Sequence, residues 1–142
     1  MLTRVLGVDL GARRIGLAVS DPSGVLASPV GVIERTGDRA VEHGAIVAAA
    51  QGSGANRIVV GLPRSLSGRL GPAAQAVIAE VAELRERASG EAVVVETHDE
   101  RFTTAIAERG LREAKVRGRV RRRKIDAAAA TVILQSWLEA RR

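Results

Sequence analysis

Cysteine is absent from the 142 residues, which excludes a disulfide framework and any thiolate metal site. Tyrosine is absent too, and Phe102 and Trp137 are the only aromatic residues. Recognition of single strands by stacking bases on an aromatic platform is therefore not expected to dominate, and Trp137 is expected in the core. Two histidines, His43 and His98, are too few for a histidine metal cluster. His43 reads as a helix-surface residue, and His98 as an accessory to whatever site lies beside it. No apolar run reaches the roughly 18 residues of a membrane-spanning helix, and no cleavable leader is apparent. The P-loop pattern is missing. The length suits one domain, residues 1–142, with a substantial core and no room for two large lobes. The expectation is a soluble, cytoplasmic protein with no membrane partner.

What is abundant is local. The net charge of +6 is concentrated between Arg109 and Lys124, where nine basic residues face one acid, Glu113. That segment carries +8, leaving −2 for the remainder. A single basic run of this density points to a polyanion-binding surface more than to general solubility, although such runs also serve as solvated faces. Arg117, Arg119, Arg121, Arg122, Arg123 and Lys124 are the candidate phosphate contacts. Arg13 and Arg14 either join them or cover a turn. Ser65, Ser67 and Arg69 pose the same choice from a Gly-rich loop.

The stretch Leu6-Gly-Val-Asp-Leu-Gly-Ala-Arg-Arg-Ile-Gly-Leu-Ala-Val-Ser-Asp21 reads as a buried strand, a tight turn at Gly11 and a returning strand. Asp9 interrupts the apolar run. A carboxylate so near a core is costly unless a cation, proton or hydrogen bond compensates it. Asp21-Pro-Ser-Gly24 is a turn, and Val25 to Arg35 predicts a third strand irregular at Pro29. Asp38 suits the N-cap of a helix reaching about Gln51, with Val41, Ala45, Ala48 and Ala49 inward. Arg57 to Pro63 predicts a fourth strand. Pro72 opens a helix to about Ala88 with Val77, Val81 and Leu84 inward, and Ala92 to Glu96 predicts a fifth strand. Thr97 to Thr104 leads into a helix ending near Ala114. A basic loop then precedes an Ala-rich helix over Ile125–Ala140.

Tight turns make the first three strands an antiparallel meander, and crossovers set the last two parallel to the first. The fold class is therefore α/β, a mixed five-stranded sheet flanked by helices. Ligands usually sit beyond the carboxyl ends of parallel strands. Asp9, the Gly61-Leu-Pro63 turn and Asp99-Glu100 all fall there. Small residues after Asp126 let the last helix approach the sheet and bring that acid within reach. Three converging carboxylates suit a hard cation such as Mg²⁺ or Mn²⁺, and cations so held promote phosphodiester cleavage. Each acid alone has a plainer reading: Asp126 caps its helix, and Asp99 caps the helix after it, which leaves Glu100 as ligand.

The ordered set Gly7-Val-Asp-Leu-Gly…Arg14-Ile-Gly, Val60-Gly-Leu-Pro63, Asp99-Glu-Arg-Phe-Thr-Thr104 and Asp126-Ala-Ala-Ala…Ile133-Leu-Gln-Ser136 resembles the YqgF/RuvX family over nearly the whole chain. The resemblance implies an RNase H-like fold and a nuclease acting on pre-16S rRNA or on Holliday junction DNA. It implies Asp9, Glu100 and Asp126 as catalytic, metal-binding acids, with Asp99, Arg101 and Thr103 in support. Where the family's Gly-Leu-Pro loop often continues with Asn, an acid and Gly, this chain has Arg64-Ser-Leu-Ser-Gly68. A symmetric homodimer would suit a branched substrate. Two other classes compete: a non-catalytic RNA-binding ribosome-assembly factor, and a nucleotide-binding lobe of the actin/sugar-kinase kind, which generally needs a second lobe.

Overall fold

The computed structural model describes residues 3–63, 69–99 and 119–141, with the backbone alone for 119–126. Strand β1 (Arg4–Leu10) is central, and its apolar run is explained by cover on both sides. Alternation along the strand sends Leu6 and Val8 to one face and Val5 and Gly7 to the other. β2 (Arg14–Ser20) and β3 (Ala27–Glu34) add antiparallel strands on one flank. β4 (Ala55–Leu62) and β5 (Val94–Asp99) add parallel strands on the other, giving the order β3-β2-β1-β4-β5. The mixed five-stranded sheet expected from the turn and crossover pattern is present.

Helices α1 (Arg39–Gly52) and α2 (Pro72–Ser89) cover the Leu6–Val8 face, where Ile46, Val47, Val81 and Leu84 close the larger core cluster. Helix α3 (Arg119–Ala140) covers the opposite face with Ala130, Ile133, Leu134, Trp137 and Leu138. Their i, i+3, i+4, i+7 spacing is one helical stripe. A fully buried leucine such as Leu134 contributes about 1.5–3 kcal/mol. Trp137 lies in that core as expected, its indole N–H donating to Glu96. Among the described residues no helix is long and apolar enough to cross a membrane.

The elements depart from the sequence reading in three places. β5 runs Val94–Asp99, so Asp99 belongs to the strand, not to the segment after it. α3 begins at Arg119, so the second half of the basic run is helical instead of a loop before Ile125. Arginine and lysine are good helix formers, and nothing between Arg119 and Ile125 breaks the helix. The helix expected to end near Ala114 lies outside the described residues.

The third departure concerns α1, which is capped by the Asp38 carboxylate as expected. It is nevertheless rotated from the expected phase: Val41 is 55% exposed, while Glu42, His43, Ile46, Val47 and Ala50 are buried. His43 is therefore not a surface residue. Its Nε2 lies 2.8 Å from Glu80 Oε2 on α2. An apolar-periodicity argument places charged groups outward, and it fails where a buried acid has dedicated donors.

Those donors make a pH prediction. Burial alone raises the Glu42 pKa, but the Gly37 N–H, Arg35 and the Thr36 N–H outweigh it, leaving the carboxyl below the ordinary 4.5. Burial likewise raises Glu80, and hydrogen bonds from Arg35 and His43 with the charges of Arg35 and Arg39 bring it below 4.5. Both folded-state values are depressed, so this stabilisation is complete above the unfolded value and is lost as pH falls through the folded values. The urea midpoint is expected to fall as the pH drops below the ordinary carboxyl value of 4.5. Glu42→Gln should flatten part of that fall. An unchanged slope in the variant would show that Glu42 plays no part in it.

Candidate nucleic-acid cleavage site

Asp9 stands next to last on β1, half-buried. Alternation puts its side chain on the α3 face, with Gly7 and Val5. Val8 pairs with Val60, and continuing that register brings Gly61 of β4 alongside Asp9. Gly61 pairs in turn with His98 of β5. Asp9 and His98 are thus two strand spacings apart, about 9–10 Å, across a residue with no side chain. His98 Nε2 lies 2.9 Å from Ser136 Oγ on α3. Burial pushes the His98 pKa down from its usual value, partly opposed by the Asp99 and Glu96 carboxylates. The carboxyl edge of the parallel strands therefore offers an acid, a glycine floor and an imidazole on one face.

Asp99 is on the other face. It follows Val95 at even spacing, and Val95 belongs to the α1–α2 cluster. This separates Asp99 from Asp9 across the sheet. Glu100 itself, with Arg101 and Thr103, lies outside the described residues, as do Arg117 and the Ser65 and Ser67 positions. Asp126 is placed by its backbone, in α3 one turn before Ala130.

α3 lies very close to β1. A Cβ built on Gly7 would come 2.7 Å from Leu134 Cβ and 3.1 Å from the Ala130 carbonyl oxygen. No side chain fits between helix and strand there. Asp126 is about 6 Å along the helix from Ala130, and Asp9 is about 7 Å along the strand from Gly7. Gln135 fixes the helix laterally by accepting from the Ala27 N–H at 2.9 Å and donating to the Val25 carbonyl at 3.0 Å.

Arg13 is exposed at the β1–β2 turn, and Arg14 opens β2 with its Nε 3.1 Å from Glu34 Oε1. Such a surface pair is worth at most about 1 kcal/mol. Arg119, Arg121, Arg122, Arg123 and Lys124 fall on the first turns of α3. At this edge the described residues offer the Asp9 carboxylate and the His98 imidazole on one face. Among the described residues no three His, Cys, Asp or Glu side chains gather into a metal group.

Sequence reasoning missed the cluster behind this edge, formed by Arg35, Glu42, His43 and Glu80. No local pattern announces it, because its members come from one strand end and two helices.

The sequence profile described as "RuvX: Holliday junction resolvase" matches residues 3–140. The chain belongs to the RuvX family. It is 48% identical over 142 residues to a protein of Mycobacterium sp. (strain KMS) named "Putative pre-16S rRNA nuclease", covering 98% of this chain and 81% of that one. A protein of the same name from Mycobacterium ulcerans is 45% identical over 140 residues, covering 98% and 80%. Among solved structures, Thermus thermophilus RuvC in complex with Holliday junction substrate matches with a TM-score of 0.59. At 16% identity, over 97% of this chain and 95% of that one, it identifies the RNase H-like fold. The RuvX sheet order and the close α3–β1 packing are the features that place Asp9 at its edge.

Proposed function

We propose that this RuvX protein is a divalent-metal-dependent endonuclease cleaving phosphodiesters in structured nucleic acid. Asp9, Glu100 and Asp126 are its catalytic and metal-holding acids. The observation that carries the proposal is a half-buried acid at the carboxyl edge of the sheet, on the face against which the Asp126 helix packs at Gly7. Mg²⁺ or Mn²⁺, when bound, supplies charge stabilisation to the phosphodiester oxygens. Asp9 holds its position because β1 is the central strand of the sheet. The names of the mycobacterial relatives favour pre-16S rRNA as substrate, and the family description favours Holliday junction DNA.

The test is a cleavage assay on a pre-16S rRNA leader, a four-way DNA junction and a linear duplex, with Mg²⁺, Mn²⁺ or chelator. Metal-dependent cleavage of the leader or the junction in preference to the duplex is expected. Tight binding to RNA without metal-dependent turnover would instead identify a non-catalytic ribosome-assembly factor.

The basic first turns of α3 supply the phosphate contacts, joined by Arg117, Arg13 and Arg14. Replacing Arg121, Arg122 and Arg123 together by Ala is expected to weaken binding across sequences. The slope of log K against log salt should fall by about 0.7–0.9 for each phosphate that is no longer neutralised. An unchanged slope would reduce this run to a solvated helix end.

A further inference from the structure

The buried charges behind the edge have one member that reaches the edge itself. Arg35, at 14% side-chain exposure, uses every nitrogen of its guanidinium. Nε donates to the Gly11 carbonyl at 2.9 Å, NH1 to Glu42 at 2.9 Å and to Glu80 at 2.8 Å, and NH2 to the second Glu80 oxygen at 2.9 Å. Its backbone N–H donates to the Arg13 carbonyl at 3.0 Å. Arg35 thus holds the β1–β2 turn at two carbonyls and ties it to α1 and α2. That turn begins two residues after Asp9, and the Gly11 N–H donates to the Asp9 carbonyl at 3.1 Å. Behind it the described residues leave a cavity of about 530 Å³, bordered by Gly11, Ala12, Pro63, Ala73 and Val77. The Arg35 guanidinium lines that space and acts as a strut from the turn to α1 and α2.

Stability alone is a poor reason for this arrangement, because well-packed apolar residues often replace a buried ion cluster at no loss. What apolar residues cannot do is fix a turn carbonyl in place through a planar, bidentate fork. We propose that Arg35 is a positioning residue: it sets the β1–β2 turn, and through it Asp9, against the α1–α2 scaffold. The catalytic half of this inference rests on Asp9 serving as proposed above. The mechanical half does not.

The experiment compares Arg35→Lys with Leu84→Ala, a core variant of the same layer that leaves the fork intact. Lysine keeps the charge and lacks both the Nε–H to Gly11 and the bidentate grip on Glu80. Amide hydrogen exchange over residues 11–14, without metal, is expected to rise about tenfold or more in Arg35→Lys. In Leu84→Ala, at equal distance below its Tm, it should match the wild type. On a cleavable substrate Arg35→Lys should lose about ten- to a hundredfold in kcat with KM within about twofold. Leu84→Ala should keep its kcat. If Arg35→Lys does not fold, Arg35→Met/Glu80→Met removes the ion pair together and is read the same way. Wild-type exchange at the turn, or kcat losses that follow Tm in both variants, would overturn the inference. A wild-type protein that cleaves nothing would defeat the nuclease reading and leave the exchange measurement to decide the strut.

Discussion

Asp9→Asn is expected to lower metal-dependent cleavage by at least roughly 10³-fold, equivalent to about 4 kcal/mol of lost transition-state stabilisation. The substitution keeps the shape of the side chain and removes its charge, so the strand and the Gly11 turn remain. Substrate affinity should stay within about threefold, because the phosphate contacts reside in the arginines and not in the acid. Asp9 is half-buried on the most central strand, and the near-isosteric amide should leave the variant folded. A homogeneous Asp9→Asn preparation that retains full cleavage would remove this edge of the sheet from the chemistry.

The second large effect is expected at Gly7→Val. Even a Cβ at this position falls 2.7 Å from Leu134 Cβ, an atom fixed to its helix backbone, and 3.1 Å from the Ala130 carbonyl. Neither neighbour is the flexible end of a long side chain, so α3 must move away from β1. Overpacking of this kind costs roughly 1–3 kcal/mol, and occasionally more. The displacement also carries Asp126 away from Asp9, and an error of about 1 Å among reacting groups can cost about 10²-fold in rate. Gly7→Val should therefore lower both the chemical-denaturation midpoint and kcat, with kcat suffering well below the unfolding transition. Wild-type kcat in a destabilised variant would mean that the α3–β1 contact serves stability alone.

The sequence discloses these features to different depths. The sheet is legible because β1, β2 and β4 are apolar strands bounded by Gly and Pro, and because connection length separates hairpins from crossovers. Asp9 stands out as an acid inside an apolar run. The α3–β1 packing is foreshadowed by the alanines after Asp126, although the glycine that admits the helix is visible only with the helix in place. Helix phase fails at α1. There Glu42 and His43 face inward because Arg35, two backbone N–H groups and Glu80 supply their partners, and these come from outside the helix. Periodicity weighs each residue by its own polarity and has no means of anticipating a partner 37 residues away in the chain. The extent of α3 is hidden for a related reason. Every residue from Arg119 to Ile125 is charged or β-branched, which looks like loop. Most of them are nevertheless compatible with a helix once its C-terminal half is anchored on the sheet.

The cluster around Arg35 also shows how the two faces of the sheet divide the work. The α3 face brings Asp9, Gly61 and His98 to one edge and packs the Asp126 helix on β1. The α1–α2 face carries the ion cluster that grips the turn following Asp9. The proposed chemistry and its proposed support are thus separated by the thickness of a single strand layer.

Anomalous diffraction from crystals grown with a nucleic-acid substrate and Mn²⁺ tests the metal assignment most directly. A Mn²⁺ peak about 2.0–2.3 Å from carboxylate oxygens of Asp9, Glu100 and Asp126 is the predicted result. A fully occupied Mn²⁺ site elsewhere on the protein, with any of these three carboxylates turned away from the bound phosphodiester, would contradict it.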